Sequence, residues 1–181
     1  MQVFSLGLWV FVLSPLFVGD TDPVIGQQAP AWSVRDWMNS PPIEQADLEG
    51  NVVLIRWWTA PGCPYCSASA SALDTWNQAY KDQGLVVLGF YHHKARTPIT
   101  QAKVKGYADQ LGFDFPIAID YQWETLERWW LSKTPDARWT SISFLVDRKG
   151  VVQYVHPGGK YEKGDGTYEA LQAKIEALLD E

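Results

Sequence analysis

The chain is poor in sulfur and in imidazole. Among its 181 residues are two cysteines, two methionines and three histidines. Two cysteines cannot build a multi-disulfide scaffold, so if they bond, they bond to each other. A basic cluster is lacking as well. With 15 Lys and Arg against 21 Asp and Glu the formal charge is −6, which removes the electrostatic footprint of a nucleic-acid-binding protein. There is no internal repeat, no low-complexity tract and no interior linker, which argues against solenoids and strings of domains.

What is present suits one globular domain with a real core. Hydrophobic residues make up 46% and charged residues 20%, and ten tryptophans make the interior aromatic-rich. The opening stretch MQVFSLGLWVFVLSPLFVG is apolar from Val3 to Val18. That is the length of a signal-peptide core and short for a membrane span. It carries no Lys or Arg and no clean small-x-small cleavage site. The expectation is therefore a signal peptide or an uncleaved N-terminal membrane anchor over residues 1–19, followed by a domain over 24–181. Export places that domain where disulfide chemistry is live.

Along the chain, AWSVRDW reads as a strand. Val52–Trp58 is apolar on both faces, as a buried parallel-type strand is. From Cys63 to Lys81 the residues Leu73, Trp76 and Tyr80 recur at helical steps, and Gly84 ends the element. LVVLGFYHHK is a second buried strand. Thr97-Pro98 has the form of an N-cap followed by Pro at the first helical position, predicting a helix to about Gly112. FPIAID is a third strand, ETLERWWL a helix, and SISFLVDRKGVVQYVH a hairpin. A helix from about Thr167 presents Tyr168, Leu171, Ile175 and Leu178 on one face. This alternation specifies an α/β sheet with helices on both faces.

Both cysteines, Cys63 and Cys66, lie in RWWTAPGCPYCSASASALDTW. A Cys at a helix N-terminus faces unpaired backbone N–H groups and the positive end of the helix dipole, which favour thiolate. Cys63 is thus the candidate nucleophile. Pro64 fits the first helical turn, where its missing N–H costs nothing. Cys66 is one turn on and can resolve a mixed disulfide. The alternative is a zinc or copper clip using Cys63, Cys66 and two of His92, His93 and His156. A zinc knuckle is more usual on a Gly-rich or polar turn than between a buried strand and a helix.

GNVVLIRWWTAPGCPYC, FPIAID and SISFLVDRKGVV, in this order and spacing, resemble the thioredoxin fold. More closely, the chain resembles the TlpA/ResA-like exported thiol–disulfide oxidoreductases of the redoxin superfamily, over residues 26–181. The segment IEQADLEGNVVLI matches that family's entry into its central strand, and the helix within 97–112 its insertion. The tetrad CPYC also resembles glutaredoxins, which are shorter. The resemblance implies a central mixed β-sheet flanked by helices, with a helical insertion after the second core strand. It implies a redox disulfide between Cys63 and Cys66, protein thiol or disulfide substrates, a redox partner protein, a periplasmic or membrane-anchored location, and no cofactor or nucleic acid.

Several residues depart from that family's pattern. Its cis-proline before the FLID-type strand aligns with Ser141, whose preceding peptide is expected to be trans. Its buried central-strand acid aligns with Arg56 or Trp57, and its glutamate after the motif with Ser69. His92 and His93 end the second strand, at the carboxyl edge where α/β sheets place their sites, so one imidazole is a candidate proton carrier. The other expectation for both is exposed loop histidines. Trp57 is expected in the core, Trp58 as a roof over the motif beside Tyr65, and Trp129 and Trp130 as helix-packing residues. A peroxiredoxin-like peroxidase is the rival enzyme, from TAPGC. Its Pro-x-x-x-Thr/Ser-x-x-Cys frame would need Pro and a hydroxyl where Arg56 and Ala60 stand, and its arginine is out of register although Arg138 is near.

Overall fold

The computed structural model describes residues 22–181. The apolar opening stretch and its leader or anchor reading lie outside the described residues. No helix among the described residues is long and apolar enough to cross a membrane.

The elements in chain order are β1 (Arg35–Met38), β2 (Val52–Trp58), α1 (Pro64–Tyr80), β3 (Leu85–Tyr91), α2 (Gln101–Leu111), β4 (Ile117–Ile119), α3 (Glu124–Leu126), β5 (Ser143–Val146), β6 (Val152–His156) and α4 (Gly166–Leu179). A π-turn over Glu127–Leu131 extends α3 directly. The strands form one six-stranded sheet in the order β1-β4-β3-β2-β5-β6. β2, β3 and β4 are parallel, while β1, β5 and β6 run antiparallel to their neighbours. The expected mixed sheet flanked by helices is the observed one.

β2 lies at the centre, and every residue in it is buried. Its side chains alternate between two apolar layers. Val52, Leu54 and Trp58 pack with α1, α2 and α4, through Leu73 and Trp76, Val104 and Ala108, and Leu171 and Ile175. Val53, Ile55 and Trp57 pack on the other side with Leu126, Trp129 and Trp130 of the α3 region. The expected core role of Trp57 and the packing role of Trp129 and Trp130 both hold. Gly89 on β3 permits the close approach of Trp58: a Cβ there would stand 3.1 Å from Trp58 Nε1 and 3.2 Å from the Phe115 ring.

One boundary differs from the sequence reading. Helix α2 starts at Gln101 with Thr100 as its N-cap, its hydroxyl accepting from the Lys103 N–H, rather than at Thr97. Thr97 precedes Pro98, which disfavours helical backbone, and its carbonyl accepts from the His93 ring at 2.8 Å. The family-typical helix is present, starting three residues later than Thr97-Pro98 suggested.

Candidate active site

The carboxyl end of β2 runs through Thr59 and Ala60 into a turn that delivers Cys63 as the N-cap of α1, with Pro64 at the first helical position. Cys63 is half-buried and Cys66 buried, and both thiols are free. The backbone N–H groups of Cys66 and Ser67 both donate to the Cys63 carbonyl at 3.1 Å, which fixes the first turn.

Ser141 comes to the pair from the loop before β5. Its hydroxyl stands 3.7 Å from Cys63 Sγ and 3.7 Å from Cys66 Sγ. No cis peptide occurs among the described residues, so the bond before Ser141 is trans, as expected. A serine here replaces an inert ring with a donor that can reach either sulfur.

Their surroundings push the two thiols in opposite directions. Burial alone would raise the Cys63 thiol. Hydrogen bonds from the Cys66 thiol and amide, the Ser141 hydroxyl and the Tyr65 amide outweigh it and bring Cys63 below the ordinary thiol value. Cys66 is pushed up to about 11, first by burial and then by the negative sulfur of Cys63 beside it. One thiol is therefore poised to attack while the other keeps its proton.

Behind the pair lies Arg56, 1% exposed, on the α1 side of β2. It occupies the alternate position to Trp57, so the two residues that align with the family's buried acid face opposite sides of the sheet. Its guanidinium donates to the Gly159 carbonyl at 2.8 Å, to Ser143 Oγ at 3.3 Å and to the Tyr65 carbonyl at 3.5 Å, and lies 5.0 Å from the centre of the Tyr161 ring. Tyr161 hydrogen-bonds Ser143 through its hydroxyl and Ser69 through its amide, so Ser69 is a backbone holder. Arg56 has no carboxylate partner among the described residues.

A cavity of about 410 Å³ opens over Cys63 and is lined by Pro64, Tyr65, Lys94, Arg138, Trp139 and Ser141, with Thr59, Ala60 and Thr140. Trp139 is 43% exposed and meets Tyr65 edge to face at 4.9 Å. Trp58 does not roof the motif. It is fully buried on the sheet, edge-on to Tyr91 and Phe113, because β2 is still fully enclosed at its last residue. The exposed aromatic beside the cysteines is Trp139, an indole in the polar loop DARWTS.

A family profile described as the AhpC/TSA family matches residues 25–155. The chain belongs to that family. The protein DipZ of Mycobacterium bovis is 30% identical over 151 residues, which are 82% of this chain and 20% of DipZ, so the chain spans about a fifth of that relative's length. The thiol-disulfide oxidoreductase ResA of Bacillus thuringiensis is 27% identical over 170 residues, 93% of this chain and 87% of ResA. Among solved structures, a thiol-disulfide isomerase from Corynebacterium glutamicum superposes with a TM-score of 0.64 at 23% identity, covering 84% of this chain and 97% of the other, which fixes the fold. The ResA-like, thioredoxin-fold resemblance drawn from the sequence holds.

The histidines do not meet the sulfurs. His92 is fully buried, its Nε2 bonded to the Thr140 carbonyl at 3.1 Å and its ring edge-on to Trp123 at 5.0 Å. Burial, with Lys94 and Arg56 nearby, pushes it down to about 3. His93 is tied to the Tyr91 hydroxyl at 3.0 Å and to the Thr97 carbonyl. His156 packs on Tyr161 at 5.1 Å, and burial and then Arg56 push it down to about 4. Among the described residues no three His, Cys, Asp or Glu side chains gather closely enough to hold a metal. The Cys–His clip therefore lacks its ligand set.

Proposed function

We propose that this protein is an exported thiol–disulfide oxidoreductase using CPYC as its redox pair, with Cys63 as nucleophile and Cys66 as resolving thiol. Cys63 thiolate attacks a disulfide of a substrate protein, forming a Cys63–substrate bond and releasing one substrate sulfur as thiolate. Cys66 then loses its proton and attacks Cys63 Sγ. The Cys63–Cys66 disulfide forms, the second substrate sulfur leaves, and two electrons have passed to the substrate. A thiol partner protein returns the pair to its free form, and the same steps reversed oxidise a substrate dithiol. The N-terminal apolar stretch supports export to the periplasm or retention at its membrane.

The observation that carries this reading is the opposite tuning of two thiols that share one hydroxyl, Ser141 Oγ. Ser141 stabilises whichever sulfur is negative. Pro64 sets the first turn so that amide groups face Cys63. Tyr65 lines the cavity where substrate enters. His92, through the Thr140 carbonyl, positions the segment that carries Ser141 and stays neutral. His93 and the buried Trp58 support the end of the sheet.

The test is trapping. With a cystine-bearing substrate protein, Cys66→Ser accumulates a covalent Cys63–substrate complex that dithiothreitol dissolves, and Cys63→Ser forms none. Trapping through Cys66 in the Cys63→Ser variant contradicts the assignment. Oxidation of the reduced protein by hydrogen peroxide much faster than by cystine peptides favours the peroxidase instead.

A further inference from the structure

The cavity over Cys63 carries a charge pattern that disulfide exchange itself does not need. Two of its lining residues are cations, Lys94 from the segment after β3 and Arg138 from the loop before β5, and none is an acid. This positive rim stands on a chain whose formal charge is −6. Both side chains are exposed. The ion pairs among the described residues are Lys105–Asp109 and Lys160–Glu162, so neither rim cation is spent on a carboxylate of the described chain.

An aromatic corner that is held in place lines the same cavity. Trp139 is exposed, yet a Cβ at Gly158 would stand 2.1 Å from Trp139 Cβ, so the indole is seated directly on that backbone. Gly158 also has φ +119°, a conformation that L residues avoid, so nothing larger fits beneath. Tyr65 meets the indole edge to face. A fixed aromatic in one cavity with unpaired cations recognises an extended segment through apolar contact and charge together.

We propose that the preferred substrate is a disulfide set in an acidic peptide segment, with Asp or Glu flanking the cystine. This rests on the thiol-exchange reading above. One carboxylate meets Lys94, another meets Arg138, and Trp139 and Tyr65 hold the chain between them while its sulfur faces Cys63. The cations stand on two separate segments, which favours an extended peptide over a compact anion. They act mainly on encounter and orientation, and they weaken with salt.

The test uses the reduced full chain and three cystine peptides identical except for flanking Glu, Ser or Lys, with initial rates read by acid quench and mass spectrometry. The Glu peptide reacts about fivefold faster than the Ser peptide, the Lys peptide is slower than both, and the order flattens at about 1 M salt. The charge reversal Lys94→Glu with Arg138→Glu inverts the order between the Glu and Lys peptides. Glutathione disulfide reacts more slowly than the Glu peptide. Equal rates for the three peptides, or an order that survives charge reversal, overturn the acidic preference. Glutathione disulfide matching the Glu peptide overturns the extended-peptide assignment. Failure of all three peptides to form a mixed disulfide at Cys63 overturns the exchange reading itself, which is a different result.

Discussion

Arg56 and Trp57 are adjacent in β2, equally buried, and point to opposite faces of the sheet. Trp57 itself is satisfied. Its indole meets Phe90, Trp129 and Phe144 at 5.1 to 5.7 Å, and its N–H donates to Asp120 Oδ2 at 2.9 Å. Asp120 also accepts from the amides of Thr125 and Leu126, tying α3 to the sheet. Arg56 is not satisfied. Arg56 Nε and His156 Nδ1 are buried with no partner, and a cation sits there without a carboxylate. Arg56 thus gives up stability to hold charge behind the cysteines, and Trp57 is built for packing.

That contrast can be broken in order of effect. Trp57→Ala removes the satisfied aromatic and destabilises by about 4 kcal/mol, read by denaturant unfolding. Cys63→Ser, by comparison, abolishes disulfide reduction and moves stability by less than about 0.5 kcal/mol. Asp120→Ala strands three donors and costs about 3 kcal/mol, while thiol reactivity per folded molecule stays within about twofold.

The fold was legible because β2 carries apolar residues on both faces, FPIAID and SISFLV follow at family spacing, and Gly84 and Gly112 close their helices. Its site was legible only in part. A strand with apolar residues on both faces hides which face each residue takes, so the sides taken by Arg56 and Trp57 were not legible until the packing of β2 was known. The same enclosure misplaced Trp58. Trp139 was overlooked, though an indole in a short polar loop beside Arg138 is itself a signal. Thr97-Pro98 has N-cap chemistry, but Thr100 lies at the turn where the chain becomes helical.

Acid acts on both faces, through His92 beside Trp123 and His156 beside Tyr161. His92 and His156 are held neutral in the fold, at about 3 and about 4, against an ordinary 6.5. Below 6.5 the unfolded chain takes up protons that the fold refuses, so stability falls as pH drops. The slope approaches about 1 kcal/mol per pH unit for each histidine, read by unfolding between about pH 6.5 and pH 4.5. His92→Asn removes close to half of it, and an unchanged slope contradicts the burial of a neutral ring. The smallest effect is at the sulfurs. Ser141→Ala withdraws one hydrogen bond from Cys63 and raises its pKa, slowing alkylation near neutrality about threefold.

The most direct measurement is the pH profile of alkylation of each thiol in the reduced protein, followed by iodoacetamide labelling and peptide mass spectrometry. Cys63 is predicted to react first, with a midpoint below the ordinary 9.0, while Cys66 stays unlabelled until about 11. Cys66 reacting first, or both thiols titrating together near 9, would contradict the assignment of nucleophile and resolving thiol.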